Sequence, residues 1–312
     1  MAKNILDNKK SGFTLIEIMV AILILGVISG IVIVNNLAAV NTAVDTKVKT
    51  FATGIPVSLS GNYVAFWNFD KCSGSSVTAD CITDSWGANG YISSTENPIV
   101  INGTAPTVAS GSSCVNDKCL VFSGSNAITI KEIGLGKKVT ISFWMKVSNY
   151  TNIMPFSLET LNAYDVGLLF EGGTNSMFWS PEVDDYNIFT GSAWPNENWH
   201  HYVVINNDVT NVAKLYVDGI KSGEAEGLDT TTSPATTDAR FMIGGSYAYF
   251  PTYFAITGSM DEVQIFDDAL SIAQIDDIYI VGLNNLLKNN GITKAEYDSR
   301  LASLNKNIAL LK

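Results

Sequence analysis

Histidine and cysteine are scarce in this chain of 312 residues, which contains two histidines and four cysteines. The histidines are adjacent, as His200 and His201, and leave little from which to build a histidine-rich metal site. The cysteines also lack the paired Cys-x-x-Cys spacing of a structural zinc site. Zinc hydrolases and zinc-stabilised folds are therefore disfavoured.

Charged residues are also few, at 16% of the chain, whereas 46% of the residues are hydrophobic. This composition predicts a folded protein with a well-filled core and argues against a disordered chain. The net charge of −11 is concentrated in residues 61–281, which contain 9 Lys and Arg but 25 Asp and Glu. Because so acidic a body would repel phosphate backbones, we expect it not to bind nucleic acid.

The N-terminus lacks the cleavage pattern of an ordinary secretory signal. Residues 1–12 are basic, and residues 13–34 are apolar except for Thr14, Glu17 and Ser29. As a helix this run would span roughly 33 Å, enough to cross a hydrocarbon core of about 30 Å. The small residue Gly12 precedes the run, and no A-x-A pattern follows it. The basic flank predicts a cytoplasmic N-terminus and an extracytoplasmic body.

The apolar run begins with the motif Gly12-Phe13-Thr14-Leu15-Ile16-Glu17. Over about residues 1–55 the chain resembles type IV pilins and pseudopilins. The resemblance implies a prepilin leader at residues 1–12, cleaved after Gly12 by a prepilin peptidase, and N-methylation of Phe13. It also implies that Glu17 pairs with the Phe13 amine of a neighbouring subunit during assembly. From the residues alone, a plain membrane anchor with Glu17 near the interface is the alternative.

A helix is predicted over residues 13–55, with its transmembrane part at 13–34, and the pattern then changes to that of strands. In residues 138–147 alternate positions are apolar, and Asp218-Gly219 marks a tight turn between two further strands. Many short strands across residues 61–281 favour a β-sandwich over βαβ units. The one strong helix signal there begins at Ser271, which forms a capping box with Gln274.

Seven segments of this region occur in the order seen in laminin-G-like jelly rolls, also called concanavalin A-like lectin/glucanase domains. They are residues 64–70, 84–90, 118–124, 141–146, 198–202, 216–219 and 258–263. Residues 61–281 resemble this family. The resemblance implies a mainly β protein: a jelly-roll sandwich on a long N-terminal pilin-type helix, with short C-terminal helices.

Relatives of this fold often hold a structural calcium ion between the N-terminal strand-loop and the closing strand. By resemblance, the candidate calcium ligands are Asp261 with Asp70 or Asp84 and the backbone near Gly87–Asn89, since calcium prefers oxygen ligands. An ordinary acidic surface is the alternative interpretation.

Residues 247–254 are unusually aromatic for a connection between strands, and Tyr247, Tyr249 and Tyr253 are candidate ligand-binding residues. Aromatic rings stack on sugars, but they also dominate contacts between proteins. A carbohydrate platform, a subunit contact and plain core packing all remain open.

A catalytic set is missing from the sequence. Related glucanases carry Glu-x-Asp-x-x-Glu, whereas the nearest segment here, residues 182–187, ends in Asn187 and is interpreted as an acidic loop. Residues 244–248 fail the last position of Gly-x-Ser-x-Gly. Trp199, His200 and His201 are interpreted as strand packing, so the chain is not expected to be an enzyme.

The four cysteines, Cys72, Cys81, Cys114 and Cys119, lie in the part predicted to be extracytoplasmic. An even number in an oxidising compartment predicts two disulfides. Three pairings are possible, and we predict the near-neighbour pairing, Cys72–Cys81 with Cys114–Cys119, because it would tighten two loops beside strands.

Residues 282–312 are predicted to form a helical appendage. One helix stops at Gly291, and Thr293 with Glu296 caps a second. The apolar stripe of the second helix is formed by Leu301, Leu304, Ile308 and Leu311. The stripe could cover an exposed sheet, pack on the N-terminal helix or contact a neighbouring subunit.

Together these features predict a minor subunit of a type IV pilus-type filament that displays a lectin-like domain for adhesion or carbohydrate binding. A type II secretion-type pseudopilin, with the sandwich as an assembly or cargo-contact module, is the alternative. A filament-tethered glycosidase is a third hypothesis. The expected partners are other pilin subunits, the prepilin peptidase, the membrane and glycans.

Overall fold

The structure is a computed structural model in which the chain divides into two compact units, Met1–Phe51 and Ala52–Lys312. It describes residues 15–16, 18–20, 22, 63–73, 77–78, 81–82, 99–131, 137–148, 152–159, 164–171, 176–182, 185–189, 195–207, 209–226, 240–246 and 254–310. In the first unit the described residues are helical and exposed. No helix within these described ranges is long and apolar enough to cross a membrane. The predicted leader and most of the predicted span, 13–34, lie outside them.

In the second unit the described residues form fifteen strands. They are β1 Tyr63–Trp67, β2 Ile99–Gly103, β3 Thr107–Ser110, β4 Lys118–Ser123, β5 Asn126–Lys131, β6 Lys138–Val147, β7 Phe156–Glu159, β8 Tyr164–Glu171, β9 Ser176–Glu182, β10 Asp185–Phe189, β11 His200–Asn207, β12 Val212–Val217, β13 Ile220–Glu226, β14 Arg240–Ile243 and β15 Thr257–Phe266.

These strands build two antiparallel sheets. The eight-stranded sheet has the order β13-β12-β11-β6-β15-β4-β3, with β1 also paired to β15, and the seven-stranded sheet has the order β10-β9-β8-β7-β14-β5-β2. Side chains from both sheets share one core, in which the rings of Phe143 and Phe156 lie 5.6 Å apart. The predicted mainly β sandwich is confirmed.

Strand β6 shows why the sequence folds this way. Its alternate apolar residues enter the core between the sheets; they are Val139, Ile141, Phe143, Met145 and Val147. The opposite face is buried too, since Ser142 and Trp144 are almost inaccessible. A second layer must therefore cover the outside of the eight-stranded sheet.

Two C-terminal helices, α1 at Ile272–Lys288 and α2 at Lys294–Leu310, provide that layer. Trp144, Trp199, Tyr279, Leu283 and Leu304 belong to one buried cluster between the helices and the sheet. We call α1, α2 and the turn between them the C-terminal hairpin. Of the three alternatives for the leucine stripe, the structure shows covering of a sheet; the side chain of Ile308 and the whole of Leu311 lie outside the described residues.

The predicted helix caps are confirmed. Ser271 and Gln274 form the capping box at the start of α1, and the Glu296 N–H donates to Thr293 Oγ1 at 3.2 Å. The extent of α1 differs from the prediction, because one helix runs through position 281, where the sequence placed the border between sandwich and appendage. Gly282 does not interrupt it: its missing side chain lets the helix backbone approach the sheet.

Candidate functional site

Strand β15 changes its partner halfway along, and the change creates the candidate site. Along one edge, residues 257–260 pair with β4 and residues 263–266 pair with β1, while the other edge follows β6. Asp261 and Glu262 lie between the two pairings, at a register shift where Glu262 adopts a φ of 51°. We call this place the strand junction.

At the junction the side chain of Asp261 accepts backbone hydrogen bonds that a neighbouring strand would otherwise accept. Its Oδ2 accepts the backbone N–H groups of Val115 and Asn116, each at 3.0 Å, and its Oδ1 accepts the N–H of Glu262 at 2.8 Å. The side chain is completely buried. Since buried backbone N–H groups need an acceptor, the carboxylate satisfies three donors where β1 ends and β4 begins.

Asp70 reaches the same place from the loop after β1. Its Oδ1 accepts the Lys118 N–H at 3.1 Å, and its Oδ2 accepts Asn68 Nδ2 at 2.8 Å. Asn116 Nδ2 lies 3.2 Å from Glu262 Oε1 and 3.5 Å from Asp70 Oδ2. Two carboxyl groups thus contact the Asn116 side chain, and a third, that of Asp261, accepts its backbone N–H.

The electrostatics of the junction are unfavourable to charge. Burial, followed by the charge of Glu262, raises the pKa of Asp261 well above its usual range. Burial and the charge of Asp70 raise the pKa of Glu262 to about 7, and burial raises that of Asp70. Within the described part of the chain none of the three forms an ion pair. The charge of Lys118 acts to lower the pKa of Asp70 but does not outweigh burial, so each of the three carboxyl groups keeps its proton to a higher pH than usual.

The structure brings together two of the three predicted calcium ligands, Asp70 and Asp261, whereas Asp84 lies outside the described residues. The sequence did not predict Glu262 or Asn116 as members of the site. The local signal for Glu262 is that it follows Asp261, and that for Asn116 is that it lies between Cys114 and Cys119. Among the described residues, no group of three or more His, Cys, Asp or Glu side chains is arranged to hold a metal ion. Calcium therefore stays a prediction that depends on Asp84 or on carbonyl oxygens outside the described ranges.

The predicted aromatic platform, with Tyr247, Tyr249 and Tyr253, also lies outside the described residues. Its flanks are described: the N–H of Met154 donates to the carbonyl of Phe254 at 2.8 Å. Phe254 packs beside Met154 and Leu169 of the seven-stranded sheet. The structure therefore anchors one end of the predicted platform at that sheet.

His200 and His201 both contact neighbouring side chains within the fold. His200 Nδ1 lies 2.6 Å from Asp218 Oδ2 and its Nε2 lies 3.1 Å from Asn196 Nδ2, so both ring nitrogens have partners. His201 is completely buried, its Nε2 lies 2.8 Å from Ser142 Oγ, and burial lowers its pKa to about 4. Its Nδ1 has no hydrogen-bond partner among the described residues.

The described residues show no route to hydrolysis through the motifs that the sequence raised. Glu182 ends β9 and pairs with Asp185 at the start of β10, whereas Asp184, the aspartate of the Glu-x-Asp spacing, lies outside the described residues. Ser246, the serine of the imperfect Gly-x-Ser-x-Gly, is completely buried. The pair of Ser142 and His201 lies beneath the C-terminal hairpin, where no substrate can reach it.

Both predicted disulfides are confirmed. Cys72 bonds to Cys81, and Cys114 bonds to Cys119. The second disulfide closes the loop that carries Asn116 and thereby limits where the amide at the junction can move.

Two protein-family models match the chain, one in each of the two regions where the sequence predicted a family resemblance. A family model described as "Prokaryotic N-terminal methylation motif" matches residues 7–33, and one described as "Concanavalin A-like lectin/glucanases superfamily" matches residues 122–276. No curated protein matches the chain. Fold and motif define a pilin-like, exported protein with a lectin-like sandwich. The chain carries the prokaryotic N-terminal methylation motif fused to a concanavalin A-like domain.

Solved structures resemble the sandwich at low sequence identity. Domain 4 of AbnA, a GH43 extracellular arabinanase from Geobacillus stearothermophilus solved with arabinotriose, has a TM-score of 0.52 and 19% identity, covering 70% of this chain and 98% of its own. The binding domain of Paraclostridial Mosquitocidal Protein 1 has a TM-score of 0.50 and 16% identity, covering 72% and 53%. A Trypanosoma rangeli sialidase has a TM-score of 0.48 and 13% identity, covering 70% and 32%. Such similarity shows the fold alone.

Proposed function

We propose that this protein is a minor subunit of a type IV pilus-type surface filament and that its sandwich binds carbohydrate on a target surface. The observation that carries the proposal is the occurrence of both family matches on one chain, at residues 7–33 and 122–276. The methylation motif supports assembly into a filament, and the concanavalin A-like match supports binding by the sandwich.

In this proposal the prepilin peptidase cleaves after Gly12 and the new N-terminus at Phe13 is methylated. Glu17 then pairs with the Phe13 amine of a neighbouring subunit, because a buried carboxylate and a buried amine satisfy each other only when subunits are in register. Before assembly the apolar run holds the chain in the cytoplasmic membrane, with the sandwich outside.

We assign a binding function and no catalysis to the sandwich. The Glu-x-Asp-x-x-Glu set of related glucanases is missing from the sequence, where the nearest segment, residues 182–187, ends in Asn187. Tyr247, Tyr249 and Tyr253 are the proposed contacts to sugar, since tyrosine rings offer apolar faces with a polar edge. The arabinanase domain, which was solved with arabinotriose, makes arabino-oligosaccharides reasonable first probes.

We also propose that calcium binds at the strand junction, where it would neutralise the carboxyl groups of Asp70 and Asp261. The support is the donor set: carboxylate oxygens are the ligands that calcium prefers, and the charge here has no ion-pair partner among the described residues. Isothermal titration with calcium chloride tests it, and Asp261→Asn should weaken the binding. A flat titration of the folded wild-type chain would refute calcium binding.

A glycan array tests the binding function. The full-length chain in detergent micelles is applied to the array once with calcium and once with chelator. A Tyr249→Ala variant is tested beside it, and the control is Val209→Ala, in the exposed turn between β11 and β12. Binding of defined glycans that Tyr249→Ala weakens and Val209→Ala leaves unchanged would support the proposal. Absence of binding by folded protein would refute it for the glycans on the array and would favour the pseudopilin alternative.

A further inference from the structure

One loop lies between the strand junction and the C-terminal hairpin and is hydrogen-bonded to both. The junction loop, residues 113–118, presents the N–H groups of Val115 and Asn116 to Asp261 Oδ2. The carbonyl groups of the same two residues accept Asn289 Nδ2 of the hairpin, at 3.3 and 2.8 Å. Asp261 therefore holds the N–H groups of the two residues, and Asn289 holds their carbonyl groups. Both side chains are distant from the loop in sequence.

Further contacts hold the start of the loop against the same layer. The carbonyl of Ser113 accepts Trp199 Nε1 at 3.2 Å and Lys146 Nζ at 3.0 Å. At the turn of the hairpin, a Cβ on Gly291 would lie 3.2 Å from the carbonyl oxygen of Ser112, so the two backbones nearly touch. With the Cys114–Cys119 disulfide closing the loop, little freedom remains for it to move independently of the hairpin.

Such an arrangement joins the two regions energetically. If the hairpin moves, Asn289 releases two carbonyl groups, and the loop can then shift its N–H groups away from Asp261. If the junction rearranges, the same loop shifts its carbonyl groups away from Asn289. Coupling of this kind is reciprocal, because the free energy that one event contributes to the other must be equal in both directions.

We propose that the junction loop couples the strand junction to the docking of the C-terminal hairpin. A ligand that fixes the junction strengthens hairpin docking, and a partner that pulls the hairpin away weakens ligand binding at the junction by the same factor. The identity of that ligand as calcium rests on the proposed function; the coupling itself rests on the contacts of Asn289 and Asp261 with the loop.

Amide hydrogen exchange on the metal-free, full-length chain tests the coupling. Asn289→Ala should speed exchange of the Val115 and Asn116 amides by about tenfold, the order expected for losing two partly buried hydrogen bonds. The matched control is Asn284→Ala, which likewise removes two hydrogen bonds, both within the hairpin: Tyr297 Oη donates to Asn284 Oδ1 at 2.8 Å, and Asn284 Nδ2 donates to the Ile280 carbonyl at 2.7 Å. Amides of Ile128 and Phe241 in the seven-stranded sheet serve as the internal reference.

The reverse direction is tested with Asp261→Asn, which keeps the size of the side chain but places an amide donor opposite N–H groups. Its hairpin amides near Asn289 should exchange several-fold faster, relative to the same reference, than those of the wild type. Unchanged exchange at Val115 and Asn116 in Asn289→Ala, or equal acceleration in Asn284→Ala, would overturn the coupling.

Calcium titration separates this inference from the proposed function. If calcium binds the wild type, it should raise hairpin protection, and Asn289→Ala should lower calcium affinity by no more than that factor, because a hairpin that still docks partly keeps part of the coupling. Calcium binding that leaves hairpin protection unchanged would overturn the coupling. If calcium does not bind, the calcium proposal fails, and the metal-free exchange data decide the coupling by themselves.

Discussion

Gly282 and Trp144 meet with no space for a side chain between them. A Cβ built on Gly282 would lie 2.4 Å from the indole ring of Trp144. The indole in turn stacks on Tyr279 of the same helix, with ring centroids 5.7 Å apart. Helix α1 therefore lies as close to the eight-stranded sheet as its backbone permits.

Gly282→Ala should therefore destabilise the protein although alanine is the better helix former. Overpacking lowers the free energy of unfolding by about 1–3 kcal/mol. Replacing glycine with alanine within a helix raises it by about 1 kcal/mol, so the loss is expected to be the larger effect. Urea unfolding followed by tryptophan fluorescence measures the change. Gly245→Ala is the matched control, since a Cβ there meets no atom closer than 3.4 Å. Equal stability of Gly282→Ala and the wild type would contradict the close approach.

Acid should destabilise the sandwich through His201. Burial lowers its pKa in the folded protein from 6.5 to about 4, so the unfolded chain takes up a proton first as the pH falls. The stabilisation is complete above pH 6.5 and is lost progressively towards pH 4, by about 3 kcal/mol in all.

Comparing the wild type with His201→Gln isolates this effect from other titrating groups. The free energy of unfolding should fall more steeply between pH 6.5 and 4 in the wild type than in the variant. Parallel curves would show that His201 does not titrate in this range on unfolding.

Arg300 should matter far more than other charged residues of the hairpin. Its Nη1 donates to the carbonyl of Trp199 at 2.7 Å and its Nη2 to Glu296 at 2.6 Å, and its side chain is only 13% exposed. Arg300→Ala should cost about 1.5–3 kcal/mol, the range for hydrogen bonds to charged groups. Lys294→Ala, which breaks an exposed ion pair with Asp298, should cost less than about 1 kcal/mol. Chemical denaturation of both variants measures the difference, and similar losses would contradict the docking role of Arg300.

Local patterns predicted the parts of the fold that local chemistry determines. Alternation in β6, the turn at Asp218 and Gly219, the capping box at Ser271 and the pairing of near cysteines are all present in the structure. Asp218 and Gly219 both have positive φ, as a tight hairpin turn requires. Each of these features involves residues within about ten positions of one another.

The strand junction could not be predicted as fully, because its members are distant in sequence. Asn116 contacts Glu262 because β15 changes its partner from β4 to β1 at residues 261–262. The irregular pairing at that point leaves no periodic pattern in the sequence. Burial of Trp144 likewise depends on a helix more than 130 residues away, so alternation identified the two faces of β6 but not what covers the second. The contact of Asn116 with Glu262 and the burial of Trp144 both depend on contacts between segments distant in sequence.

The central claim is that this chain is a processed filament subunit that displays a lectin-like sandwich. The most direct test is mass spectrometry of filaments sheared from cells that express the chain. The account predicts a peptide that begins at N-methylated Phe13, together with peptides of the sandwich, in the filament fraction, and their loss from that fraction in a Glu17→Ala variant. A chain that keeps residues 1–12 and occurs only in the cell envelope would contradict it.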